Sequence, residues 1–373
     1  MAGIYVHIPF CKQKCSYCDF HFSTTFTAYR QKMIDAIKTE IDLRKAELDN
    51  QIIETVYFGG GTPSLLTFNE LSEITKSLHQ NYDISDEFEF TLEANPDDIN
   101  PEQLKNWKNV GVNRLSIGLQ SFLQDDLDWM NRAHTAEESV KAVEQAKTAG
   151  FSLTVDLIYG LPNRSLQEWT SNIKKLVALR PEHISAYCLT VEKKTALHQM
   201  IKKGKLPLVG EEDQANQFEL LVDVLASSGY EQYEISNFAR NQAFSKHNAN
   251  YWRNVNYIGI GPSAHSFDGG SRRWNVANNQ LYIKGVNRGE DYFETEILTP
   301  KDQFNELLLT GLRTKWGVDL NALKFKHCTT KEFEKQVEQF KNDGLLYETS
   351  NSLFLTDKGK LQADYVAAML FIE

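Results

Sequence analysis

Positive charge is in short supply in this 373-residue chain, which sets 40 Lys and Arg against 50 Asp and Glu for a formal net charge of −10. A chain with that balance lacks the field that draws proteins to phosphate backbones, so nucleic acid is excluded as the default partner. Long apolar runs are also lacking, and none reaches the length needed to span a bilayer. The first residues, MAGIYVHIPF, contain no basic stretch and no small-residue cleavage site. They read as an immediate β-strand, so a cytoplasmic protein is expected. There is no internal repeat and no low-complexity linker. Cysteine is scarce at five residues, yet Cys11, Cys15 and Cys18 fall within eight positions of one another. In a reducing compartment such clustering points to metal or redox chemistry rather than disulfides.

The chain does have the core of a globular protein, with 41% hydrophobic and 24% charged residues. Its length allows a main domain plus an appendage. The first half alternates strand-like and helix-like segments. Strands are expected at 4–9, 55–63, 88–96, 112–120, 151–162 and 183–190, with helices between them, one of them N-capped by Thr67 with Glu70 three residues on. Six β–α units in succession imply an α/β fold, a parallel sheet with helices outside it. After about residue 210 the rhythm changes. Residues 211–228 read as helix, 230–239 as extended, and 246–267 as loop-rich and aromatic. The stretch 301–373 reads as helices with a hairpin near 344–359, a winged-helix-like appendage. The expected domains are therefore 1–210, 211–300 and 301–373.

Cys11-Lys-Gln-Lys-Cys15-Ser-Tyr-Cys18 is a CxxxCxxC array. Three thiolates suit a four-iron cluster and leave one iron open to a ligand. The alternative is a structural zinc site with His7 or His21 as fourth ligand, although zinc sites usually draw on two separated cysteine pairs. Cys188 and Cys328 read as buried structural thiols. Unusual residues gather at the expected strand ends: Gly59-Gly60-Gly61-Thr62-Pro63, Glu93, Gln120 and Asp156. In β/α barrels those ends form the active face. Glycines allow backbone to approach a ligand closely. A carboxylate late in a strand, as Asp156 is, suits a pair of ribose hydroxyls. Gln120 could share that ribose, Glu93 could receive a cationic amine, and Arg132 could grip a carboxylate. Taken singly, each is equally an ordinary polar residue capping a strand.

The array, with Tyr17 before its third cysteine, resembles the radical S-adenosylmethionine (SAM) superfamily. In that superfamily SAM chelates the open iron of a 4Fe-4S cluster beside a partial (β/α)6 barrel. YVHIPFC, GGGTP, GVNRLSIGLQSF and DLIYGLP together resemble the subfamily of oxygen-independent coproporphyrinogen III oxidase (HemN) and its relatives. By motif position the resemblance implies cluster ligands Cys11, Cys15 and Cys18. It implies SAM contacts at Tyr5, Tyr17, Gly60, Gly61, Thr62, Glu93, Gln120, Arg132 and Asp156. Two departures weigh against oxidase chemistry: Phe20 stands where the oxidase has a further cysteine, and the YxHIPFC strand begins without the oxidase's N-terminal extension. Radical SAM methyltransferases are a further alternative. His247-Asn248-Ala-Asn-Tyr251-Trp252 matches the HNxxYW motif of HemW-type heme chaperones. That match implies heme binding through His247, Asn248, Tyr251 and Trp252, with transfer to an acceptor such as a membrane-associated respiratory component. It would bring the protein to the membrane only through a partner, and it leaves homodimer formation open. A neutral imidazole can ligate heme iron. The other reading is a core histidine packed beside two aromatics. His265, in GIGPSAHSF, is a second candidate.

Overall fold

The computed structural model describes residues 1–325 and 330–372. Six strands run parallel and in chain order: β1 (Ala2–Ile8), β2 (Ile53–Gly60), β3 (Ile84–Ala94), β4 (Arg114–Gln120), β5 (Ser152–Tyr159) and β6 (His183–Cys188). Each is apolar on one face: Val6 and Ile8, Val56 and Phe58, Phe90 and Leu92, Leu115 and Ile117, Leu153 and Val155 are buried against the outer helices. The alternate residues are polar or aromatic and turn inward, among them Tyr5 and His7, Thr55 and Tyr57, Glu89 and Glu93, Arg114 and Ser116, Thr154 and Asp156. Period-two alternation in a parallel sheet means that the interior face holds something other than a plain apolar core. The connecting helices are capped as the residues dictate. Thr67, Thr135 and Ser165 each form a reciprocal capping box with a glutamate three residues on, and Asn100 caps a helix that begins at Pro101.

The partial barrel is flanked on both sides. β8 (Asn237–Ala239) pairs antiparallel with β6, and β7 (Glu231–Glu234) pairs antiparallel with β8. On the opposite side β9 (Tyr257–Ile260) pairs parallel with β1, followed by β10 (His265–Phe267), β11 (Ser271–Asn275) and β12 (Phe293–Ile297), so that one sheet has twelve strands. The stretch 246–267, expected to be loop-rich, instead contains a short helix, Lys246–Trp252, and two of these strands. Strands of three to five residues carrying Gly, Ser and Asn have little intrinsic preference, and pairing to a preformed edge makes them strands.

Residues beyond 300 build a second core of their own. Helices Pro300–Leu312 and Lys331–Asn342 pack Phe304, Leu308, Phe333 and Phe340 under a small sheet of β13 (Val318–Asp319), β14 (Leu346–Thr349) and β15 (Ser352–Leu355). The unit joins the large sheet through a Glu234–Thr314 bridge, an Arg313–Glu234 ion pair at 3.1 Å and an Arg272–Glu306 pair at 2.6 Å. Cys328 lies outside the described residues. No helix among those described is long and apolar enough to cross a membrane.

Candidate functional site

The loop after β1 carries the three clustered cysteines, and its course is set by the glycine run after β2. Gly61 N donates to Ile8 O at 2.9 Å and Thr62 N to Phe10 O at 2.6 Å, laying the two loops side by side. A Cβ on Gly61 would sit 2.7 Å from both the Ile8 and Phe10 carbonyl oxygens. Gly60 has φ +104°, and a Cβ there would meet the His7 ring at 2.4 Å. The glycines are thus required by close approach of backbone to backbone. The cysteine loop is also clamped from outside. Lys12 pairs with Asp97 and Asp98 after β3. Asn131 Nδ2 donates to Lys14 O at 2.8 Å, and Gln13 Nε2 donates back to Asn131 O at 2.8 Å.

The thiols line a cavity of about 520 Å³ at the C-terminal ends of the parallel strands. Tyr17, Gly60, Gly61, Thr62, Glu93, Gln120, Arg132 and Asp156 line it with them. Tyr5, also expected as a SAM contact, is placed differently: its hydroxyl lies 3.2 Å from His7 Nδ1. The Thr62 hydroxyl donates to Cys11 Sγ and Arg132 to Cys15 Sγ, both at 3.4 Å. Burial pushes the Cys11 and Cys18 thiols up to about 11, so a bound cation is needed to hold them as thiolates at neutral pH. Among the described residues, no three His, Cys, Asp or Glu converge as a single-ion site requires. A cluster does not require convergence, because each thiolate binds a different iron. His7, offered as a fourth zinc ligand, is engaged at both nitrogens, by Tyr5 and by the His21 carbonyl at 2.8 Å.

Charge within the cavity is unmatched. Burial raises the Glu93 carboxyl to about 7, although it accepts from Tyr57 OH at 2.8 Å and Gly60 N at 3.1 Å. Burial and nearby Glu93 raise Asp156 to about 7 as well. Arg132 bonds Asn95 Oδ1 at 2.6 Å and Gly118 O at 2.8 Å, yet it makes no ion pair with a carboxylate among the described residues, and its buried Nε is unpartnered. A buried carboxyl without a cation and a buried guanidinium without an anion suit a zwitterion. The amino-acid moiety of SAM is one, and Asp156 is left over for hydroxyls. The residues therefore fit both cluster and nucleotide. Tyr57, Asn95, Ser116, Ser185 and Tyr187 also line the cavity and were missed from sequence. Period-two counting would have flagged some of them, since Tyr57 pairs in register with Thr91, two before Glu93, and Ser116 with Glu93 itself.

The HNxxYW segment is the helix Lys246–Trp252, set inside the barrel on the N-terminal side of the cavity. Glu89 receives its first amides, Lys246 N at 3.1 Å and His247 N at 3.0 Å. His247 is 2% exposed. Its Nδ1 lies 2.8 Å from the Thr55 hydroxyl and its Nε2 2.8 Å from the Tyr251 hydroxyl. Its ring stacks on Tyr57 at 5.1 Å, and burial lowers its pKa to about 3, so it is neutral. As folded, both His247 nitrogens have hydroxyl partners, Thr55 at one and Tyr251 at the other. Asn248 reaches the cavity. Trp252 instead lies under the Arg313 guanidinium at 5.1 Å, where the C-terminal unit docks.

Fold and site together define a radical SAM protein. The Radical SAM superfamily model matches residues 5–176, and the HemN C-terminal domain model matches 298–361. The solved coproporphyrinogen III oxidase (HemN) from Escherichia coli, a radical SAM enzyme, superposes with a TM-score of 0.87 at 23% identity, covering 99% of this chain and 90% of that one, which shows the shared fold. The heme chaperone HemW of Bacillus subtilis is 34% identical over 374 residues, 98% of each chain. That of Lactococcus lactis is 35% identical over 362 residues, 95% of this chain and 93% of its own. The chain belongs to the HemW family of radical SAM proteins.

Proposed function

We propose that this protein is a heme chaperone: it binds heme and delivers it to an acceptor protein, respiratory components being the acceptor class the family resemblance suggests. The observation that carries this reading is identity to proteins named heme chaperone along nearly the whole chain, the C-terminal unit included. Cys11, Cys15 and Cys18 would hold a 4Fe-4S cluster. When bound, the cluster and SAM supply one-electron chemistry or a ligand-dependent change of state. This chain's residues do the positioning. Ionised Glu93 would accept the ammonium group of SAM, Arg132 would pair its carboxylate, and Asp156 would take ribose hydroxyls with Gln120 near. Gly60, Gly61 and Thr62 would line the methionyl end, and Tyr17 would shield the cluster from water.

The test is anaerobic reconstitution, heme titration and transfer to an apo-acceptor. Cys15→Ser is expected to abolish the cluster's absorbance and iron content while heme binding persists. Failure of the reconstituted wild type to bind heme would overturn the chaperone reading. Formation of protoporphyrinogen IX from coproporphyrinogen III would replace it with the oxidase.

A further inference from the structure

A one-electron cluster, such as Cys11, Cys15 and Cys18 are read to hold, needs a route for its electron that does not cross the nucleotide site. The cysteine loop has a solvent side as well as a cavity side. On the solvent side it borders a groove of about 430 Å³, walled by Cys18, Phe20 and Phe22 from the loop after β1 and by Lys193 and Lys194 from the chain after β6. Among the three cysteines Cys18 alone lines both the cavity and the groove. The two segments are fixed to each other. Leu197 N donates to Ser16 O at 2.8 Å, and Leu197 is buried with Met130 and Leu189, with Tyr17 packed against them.

The groove carries the sign of charge that the chain as a whole lacks. Lys14, Lys193 and Lys194 line it against a single acid, Asp19, and all four are exposed. None of the three lysines has an ion pair among the described residues, whereas Lys12, on the cavity side of the same loop, is engaged by Asp97 and Asp98. The sign continues along the chain: residues 193–210 hold five lysines and no Asp or Glu, and Lys202, Lys203 and Lys205 are exposed. Lys194 has φ +72°, a backbone conformation that an ordinary side chain adopts only at a cost. Phe20 is 69% exposed and Phe22 half-buried. An aromatic contact with charge of one sign around it is the composition of a protein interface. The buried hydroxyl in the groove, that of Thr195, already donates to Glu192 O at 2.7 Å. Ammonium groups on flexible stems do not by themselves build a pocket for a small anion; they steer a large one.

We propose that this groove is the docking surface for a small acidic electron-carrier protein, with Lys14, Lys193 and Lys194 steering it and Phe20 as the apolar contact. The proposal rests on the reading of the three cysteines as cluster ligands. One electron leaves the partner's reduced flavin or iron–sulfur group for the oxidised cluster held at Cys18; no bond is made or broken and no proton moves. Entry from this side leaves the cavity to SAM. Electron-carrier interfaces are small and lean on charge, because the pair must separate after each transfer. Three mobile lysines and one exposed aromatic meet that need. At physiological salt, charges act over only about 8 Å, so the groove's own sign decides the encounter rather than the total of −10.

The experiment uses the full chain with its cluster reconstituted and two probes, a flavodoxin and a plant-type ferredoxin. Two quantities are read: the affinity of each probe for the chain against ionic strength, and the rate at which each reduced probe bleaches the cluster's absorbance. Lys193→Glu combined with Lys194→Glu is expected to lower both by about tenfold or more at low salt and to flatten the salt dependence. Lys14→Glu should lower both by less. Phe20→Ala should weaken binding and keep the salt dependence. Lys174→Glu combined with Lys175→Glu, the same change of charge on the outer helix Leu166–Leu179, should match wild type. Dithionite needs no docking and should reduce every variant at the wild-type rate, with iron content and SAM affinity unchanged, which separates lost docking from a lost cluster. Equal affinity and rate in wild type and the Lys193 and Lys194 double variant, or no binding of either probe to wild type, would overturn the docking surface and leave the chaperone reading intact. A reconstituted chain without iron would instead overturn the cluster reading beneath it.

Discussion

Glu89 and Glu93 lie on the same face of β3, four residues apart, at opposite ends of the barrel interior. At the Glu89 end each charge has a counter-charge. The carboxylate takes two helix amides, Arg114 stands 3.6 Å away, and Arg114 in turn donates to the Thr154 hydroxyl at 2.8 Å. At the Glu93 end the carboxyl has hydrogen bonds but no cation, and Arg132 has no anion. One end is closed by the protein's own Lys246–Trp252 helix, and the other is left for a ligand to complete. A polar interior is thus not by itself a binding site. The site is where partners are missing, because a buried charge held without a counter-charge is costly unless something else supplies one.

The largest expected effect breaks the closed end. Glu89→Ala strands Arg114 and two helix amides in the interior and should destabilise the fold by about 3–5 kcal/mol, read from denaturant unfolding. A loss below about 1 kcal/mol would mean that the closed network is not structural. Next comes the open end. Arg132→Met should weaken SAM binding to reconstituted protein by about 2–3 kcal/mol, with a stability loss smaller than that of Glu89→Ala. Unchanged SAM affinity would remove Arg132 from the carboxylate site. The smallest effect concerns pH. Because Glu93 and Asp156 titrate near 7 in the folded apo-protein, above their ordinary values, the fold holds protons the unfolded chain has released. Their contribution is fully present below about pH 4 and is lost as pH rises toward 7, so apo stability should fall across that window. Glu93→Gln should flatten part of that slope. SAM affinity of the wild type should rise with pH up to about 7, since the ammonium needs the ionised carboxylate. A slope unchanged in Glu93→Gln would place the shifted group elsewhere.

Much of the open end could be read in the residues. The cysteine array, the glycine run and the strand-end carboxylates are local in sequence, and parallel β–α alternation brings strand ends to one rim. What sequence missed there are partners two residues back in a strand, such as Tyr57, or after its end, such as Asn95, whose importance depends on register with a neighbour. The closed end is less legible. HNANYW looks like a ligand-bearing loop because His, Tyr and Trp are adjacent. Only its seat against Thr55 and Tyr251 shows that both imidazole nitrogens have partners in the fold. The edge strands β9 to β12 escaped notice for the same reason, being too short to announce themselves.

The sequence alone therefore determined the chemistry-bearing inventory and the repeating β–α core, because motif spacing and two-residue periodicity are properties of the chain itself. Only the tertiary structure decided which of those groups are spent and which are open. Whether a histidine or a carboxylate has a partner depends on residues as distant as 192 positions, the separation of Thr55 from His247, and no local pattern encodes that pairing.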